Sequence, residues 1–344
     1  MRKLFFCVLL ILLTACSQDV GTIHQRSILA FGTVIDITLY HPDKMLARQA
    51  FQRLETDFQT MHRLWHPWNP GPLSRTNQLL QSGGWFSAAP SIYPLLLRSR
   101  ELAIQSGHYF NPAIGKLVKL WGFHRNDPST EIDIDQDELK RLQTDIPSME
   151  DIEIDGIRMR GLHPDIQIDV GGIAKGYGID RAIDTLKTMG INNAIINAGG
   201  DLRAIGKHGN HPWKIGIQRP RASGTLASLE TLADESVFTS GDYQRFYTQN
   251  GRRIQHIIDP FRGLAVSETI AVTVIHTDAT VADAAATALM VAGPKHWHSV
   301  AQRLGIKYVM LLDTKGSLHI NPAMHKRLSL VDPLPYKLSI SVPL

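Results

Sequence analysis

Apolar and polar positions alternate along residues 28–40 (ILAFGTVIDITLY), which are also rich in β-branched side chains, so one strand is predicted there. Residues 47–64 change period: Ala50, Phe51, Leu54, Phe58, Met61 and Leu64 recur at helical spacing. A loop rich in Pro and Gly follows (HPWNPGPLSRTN), then a helix over 93–106 that Gly107 ends. Phe110-Asn111-Pro112 opens a segment reaching Trp121-Gly122-Phe123, and residues 124–150 are polar apart from a short helix around 137–142. Beyond 150 strands dominate, at 152–159, 166–170, 194–197, 213–218 and 225–232. Residues 245–247 and 252–258 flank an Asn-Gly pair, a strong hairpin signal. A strand at 270–276, helices at 281–292 and 295–304, and a strand at 308–312 complete the pattern. Strands and helices mix without strict βαβ alternation, which predicts an α+β fold with mixed or antiparallel sheets packed against helices.

The head of the chain follows another logic. MRK is basic, LFFCVLLILL is wholly apolar, and Leu13-Thr14-Ala15-Cys16 ends the run with small residues. This is the pattern of a signal peptide over residues 1–15, too short for an ordinary membrane span. Leu-Thr-Ala-Cys resembles a bacterial lipobox, which implies lipidation of Cys16, a periplasm-facing lipoprotein and a tether over 16–26. Ser17 in place of Asp favours the outer membrane over the inner. One domain is expected over 27–330, with room for two subdomains, and a tail over 331–344.

Composition mainly excludes. The chain has two cysteines, Cys7 in the leader and Cys16 at its end. The remainder therefore has no disulfide, cysteine nucleophile or zinc–thiolate centre. A net charge of +4 with no clustered basic run gives no reason to expect nucleic acid.

Three stretches carry the candidate chemistry. DVGGIAKGYG, from Asp169, has the glycines and lysine of an anion cradle, yet matches neither the Walker order nor the dinucleotide fingerprint. Taken alone, the stretch reads more simply as a tight strand-to-helix turn, with Asp169 capping the helix. His256 stands on the second strand of the predicted hairpin, before Asp259-Pro260, where a structural histidine is the commoner outcome. Asp283 and Thr287 lie four apart on one helix face and offer two hard oxygens to Mg²⁺ or Ca²⁺, although packing accounts for the pair as readily.

Taken together, DVGGIAKGYGIDRA, NAGGDL, SGDYQRF, HIIDPFRG and ADAAATALMVAG resemble, in order and spacing, the ApbE family of FAD:protein FMN transferases. Phe31-Gly-Thr, the Leu73-Ser-Arg-x-Asn77 element and FNPAIGKLVKLWGF also fit, so the resemblance runs from about residue 27 to about 320. It implies an active site in a cleft between the two halves, FAD and Mg²⁺ as ligands, and transfer of FMN to a Thr or Ser hydroxyl of a target protein with release of AMP. By motif position, Asp169 and Lys175 would contact FAD, while the Gly172 carbonyl, Asp283 and Thr287 would hold the metal. His256 would be the base, and Ile257 would touch FAD through its backbone. Trp68, Tyr109, Phe110 and Asn111 would line the pocket, with Phe31 beside them. Phe31 stands where relatives often have Met, Trp68 where many have Tyr, and Asn111 where many have Asp. The same residues would serve an FAD pyrophosphatase that releases FMN and AMP. A non-catalytic FAD-binding lipoprotein is the alternative from another class.

Overall fold

A nine-stranded sheet carries the structure, a computed structural model that describes residues 21–125 and 132–344. The leader, Cys16 and Ser17 lie outside the described residues. In spatial order the strands are Thr22–Ala30, Thr33–His41, Ala194–Ala198, Asp201–Ile205, Asp234–Gly241, Thr269–His276, Tyr308–Asp313, Ser317–Ile320 and Lys337–Ile340. Neighbours are antiparallel except the last two, which run parallel.

The helices among the described residues are α1 (Lys44–Leu64), α2 (Pro72–Gln81), α3 (Tyr93–Gln105), α4 (Gly115–Leu120), α5 (Gln136–Thr144), α6 (Ala174–Thr188), α7 (Ala279–Arg303) and α8 (Pro322–Arg327). Asp43 caps α1 by accepting from Met45 N at 2.7 Å and Leu46 N at 3.0 Å. Gly293, with φ of 62°, breaks α7 just before Pro294, so the two predicted helices meet at a kink.

Apolar side chains cover both faces of the sheet. Val309 and Leu311 join the core shared with α1, α6 and α7, whereas Met310 and Leu312 join a second core. That second core also holds Ile215, Ile217 and Leu229 of a small three-stranded sheet. Burial on both faces is why this strand reads as an unbroken apolar run rather than an alternation.

Several sequence expectations need correcting. Residues 28–40 are not one strand but parts of two, joined at Phe31-Gly32, whose φ values of 53° and 73° suit a tight hairpin turn. The first strand starts at Thr22, inside the expected tether. Residues 166–170 form no strand apart from an isolated bridge between Ile114 and Gln167. The Pro- and Gly-rich loop passes into α2, started by Pro72 at a position where its missing N–H costs nothing. His256 lies one residue beyond its hairpin strand, Arg252–Gln255.

Candidate active site

The glycine-rich stretch is the first turn of α6, pressed against the start of α7. A Cβ on Gly176 would collide with the Ala279 carbonyl and come within 2.8 Å of Asp283 Cβ. With no side chain in the way, Gly176 N–H donates to Asp283 Oδ2 at 2.9 Å. Asp180, one helical turn further, accepts from Ala279 N at 3.0 Å, Thr280 N at 2.8 Å and Thr280 Oγ1 at 2.5 Å, and pairs with Arg203. It serves as a cap on α7 supplied by another helix, and so sets the register between Lys175 and Asp283.

Asp169 is held from the other side. Asn77 on α2 accepts from Ile168 N at 2.8 Å and donates to Ile168 O at 3.0 Å, so one amide side chain takes the place of a neighbouring strand. Asp169 N–H donates to Pro112 O at 2.8 Å, which ties the Phe110-Asn111-Pro112 loop to the same segment. These partners account for the missing strand at 166–170: its hydrogen bonds go to a side chain and a loop.

All twelve described residues predicted for the site line one cavity of about 760 Å³: Phe31, Trp68, Tyr109, Phe110, Asn111, Asp169, Gly172, Lys175, His256, Ile257, Asp283 and Thr287. The volume is within the usual range for a small-molecule site. Three contributions were refined by the structure. The Asn111 amide donates to Pro147 O at 2.9 Å and accepts from Ala113 N at 3.0 Å, so it shapes its loop in a way an ionised Asp could not. Ile257 O accepts from Val266 N at 3.0 Å, which fixes the Ile257 backbone at the cavity wall. Phe31 sits at positive φ, rare for a bulky residue, with its ring stacked on Trp65 at 5.8 Å and edge-on to Phe58 at 6.0 Å.

Lys175 pairs with buried Asp201, a residue sequence reasoning quoted in NAGGDL but gave no role. Asp201 Oδ1 also accepts from Thr239 N at 2.8 Å. Burial opposes the Lys175 charge, but Asp201 and Asp283 outweigh it and hold its pKa above the ordinary value. Burial pushes the Asp283 carboxyl up to about 7 against the pull of Lys175, a carboxylate short of positive charge. Asp169 is likewise raised by burial, opposed by the Gly171 N–H and by Arg245.

His256 Nδ1 lies 3.1 Å from Arg245 O, which can only accept, so Nδ1 carries the hydrogen and Nε2 is bare. Burial, Arg245 and Lys175 lower its pKa to about 4. The ring is therefore neutral around pH 7, with a free lone pair on Nε2. Arg245, in the SGDYQRF motif, is a residue of the cavity wall whose place the sequence does not signal.

The donor set suits a hard divalent cation. Asp283 and Thr287 are one helical turn apart, and a Cβ on Gly172 would lie 3.0 Å from Thr287 Oγ1, so this backbone lies directly against Thr287. Among the described residues no group of three or more His, Cys, Asp or Glu side chains could hold a metal. One carboxylate with neutral oxygens is the kind of partial shell that Mg²⁺ completes with water and substrate phosphate.

A family model described as the ApbE family matches residues 31–310. The chain belongs to the ApbE family. An FAD:protein FMN transferase of Rhodobacter capsulatus is 35% identical over 320 residues, covering 93% of this chain and 60% of that protein. One of Klebsiella pneumoniae (strain 342) is 30% identical over 311 residues, covering 87% and 92%. The chain thus spans 60% of the R. capsulatus relative and 92% of the K. pneumoniae one. The crystal structure of the ApbE protein of Thermotoga maritima superposes with a TM-score of 0.80 at 26% identity, covering 89% of this chain and 99% of that one. The flavin transferase ApbE of Vibrio cholerae gives 0.77 at 25% identity, with the same coverage. This ApbE member accordingly has the α+β architecture of solved ApbE structures.

Proposed function

We propose that this protein is an enzyme that transfers FMN from FAD to a Thr or Ser hydroxyl of a target protein, with release of AMP. The observation that carries the reading is the convergence of Lys175, Asp283, Thr287, Gly172 and a neutral His256 on one cavity. The names of the relatives, FAD:protein FMN transferase, support it.

His256 Nε2 takes the proton of the incoming hydroxyl, a group too weakly nucleophilic to attack unaided. The hydroxyl oxygen forms a bond to the FMN phosphorus as the bond from that phosphorus to the AMP phosphate oxygen breaks, and AMP leaves with the electron pair. Lys175, held beside Asp201, faces the charge that gathers on the phosphate oxygens. Asp283, Thr287 and the Gly172 carbonyl would hold Mg²⁺, which supplies charge neutralisation at the pyrophosphate. No enzyme nucleophile is needed, so the transfer is direct.

The test incubates the protein with FAD, Mg²⁺ and a co-encoded exported protein, followed by a denaturing gel read by flavin fluorescence. A fluorescent target band is expected. Free FMN and AMP without a labelled band would identify a pyrophosphatase, and unchanged FAD a binding protein.

The same reading includes a lipid anchor on Cys16 facing the periplasm, supported by the Leu-Thr-Ala-Cys sequence. Among the described residues no helix is long and apolar enough to cross a membrane. Cys16→Ala should move the protein from the membrane fraction to the soluble one. Retention at the membrane would count against the anchor.

A further inference from the structure

Two histidines of the cavity wall take no part in this chemistry. His62 lies in the last turn of α1 and His66 just beyond it, with ring centroids 5.8 Å apart. Phe31 N–H donates to His62 Nδ1 at 3.3 Å. Trp68 N–H and Asn69 N–H donate to His66 Nδ1 at 3.2 and 3.0 Å. A backbone amide only donates, so Nδ1 is bare in both rings and each neutral ring carries its hydrogen on Nε2. Burial and then the neighbouring His62 lower the His66 pKa, which favours that neutral form.

The other two cavity histidines have the opposite arrangement. His124 Nδ1 meets Lys119 O and His256 Nδ1 meets Arg245 O, both at 3.1 Å, so their Nε2 atoms are acceptors. His62 and His66 are thus a pair of N–H donors. They are poorly suited to a metal, because each has already given its bare nitrogen to the backbone. Their surroundings are aromatic: the Phe31 ring lies 6.1 Å from His62 and stacks parallel to Trp65.

We propose that His62 and His66 form a base-recognition site, their Nε2–H groups donating to the edge acceptors of a planar heteroaromatic ring. Carbonyl oxygens or ring nitrogens of an uncharged base are the matching chemistry. The site rests on the reading of FAD as substrate, and FAD offers two such rings, isoalloxazine and adenine. Neutral donors suit this task, since a cation here would compete with Lys175 for the pyrophosphate. The pair also links recognition to shape: the same two rings fasten the Phe31 turn and the Trp68 loop, which form part of the cavity wall.

The test uses His62→Asn and His66→Asn in the full protein. Asn keeps an acceptor near the Nδ1 position and removes the Nε2–H. Riboflavin, AMP and FAD are titrated calorimetrically, and thermal midpoints are recorded. The expected result is about a tenfold loss of affinity for either riboflavin or AMP in each variant, with the other fragment bound as in the parent. FAD should weaken in step while the midpoint holds, and the fragment that suffers identifies the ring. Unchanged affinities would overturn the proposal. Equal losses for both fragments with a lowered midpoint would overturn it too, since the rings would then be loop fasteners alone. Failure of the parent protein to bind FAD at all would instead sink the transferase reading.

Discussion

Gly176 N–H donates to Asp283 Oδ2 at 2.9 Å, across 107 residues of sequence, and joins the first turn of α6 to the second turn of α7. The bond exists because a glycine lets the two backbones approach, with the Ala279 carbonyl where a Cβ would stand.

Gly176→Ala should therefore force α6 and α7 apart. Overpacking of this kind costs about 1–3 kcal/mol, to be read from urea unfolding midpoints. Affinity at the proposed Mg²⁺ site should fall as well, because the shift moves Asp283 away from its Gly176 partner. A variant as stable as the parent would mean the contact relaxes at no cost.

Replacing Lys175 by Met keeps the reach and removes the charge. Asp201 and Asp283 would be left buried without their cation, a change expected to cost about 2–3 kcal/mol because the lysine keeps some contact with solvent. Single-turnover transfer from FAD should slow by about a hundredfold or more. An unaltered rate would remove Lys175 from the phosphate site.

Asp283→Ala deletes the one carboxylate of the proposed metal donor set. FAD binding, measured by fluorescence titration, should persist, while transfer should no longer respond to added Mg²⁺. Survival of full Mg²⁺-dependent turnover would show that the ion is held elsewhere.

The histidine prediction concerns pH. An unfolded chain binds a proton at His256 near 6.5, whereas the folded protein does so only near 4, chiefly because of burial. Neutral His256 therefore contributes stability that is present above pH 6.5 and is lost as pH falls toward 4. In the ligand-free protein, NMR should show the His256 ring unprotonated from pH 8 to 5. A titration midpoint near 6.5 would mean that the ring is solvated and unlike its description above.

The α+β class, the hairpin at Asn250-Gly251 and most helices were readable in the chain because they rest on local chemistry. Apolar period, turn residues and caps act within a few positions of one another. The resemblance across motifs pointed to residues that line one cavity, yet roles for Asp201 and Arg245 were invisible in sequence. Their significance comes from their partners, Lys175 and His256, which lie 26 and 11 residues away. The strand expected at 166–170 failed because Asn77 and Pro112 supply its hydrogen bonds, and no periodicity reports on partners so distant.

By itself the sequence determined which residue types were available: hard oxygens one helical turn apart, a lysine among glycines, and a histidine at a hairpin. Only the tertiary structure decided which ring nitrogen of the four cavity histidines carries the hydrogen, since that depends on whether a carbonyl or an amide faces Nδ1. It also decided that Gly172, Lys175, Asp283 and Thr287 line one cavity, because Gly176 lets the first turn of α6 close onto α7 while Gly172, just before α6, lies against Thr287.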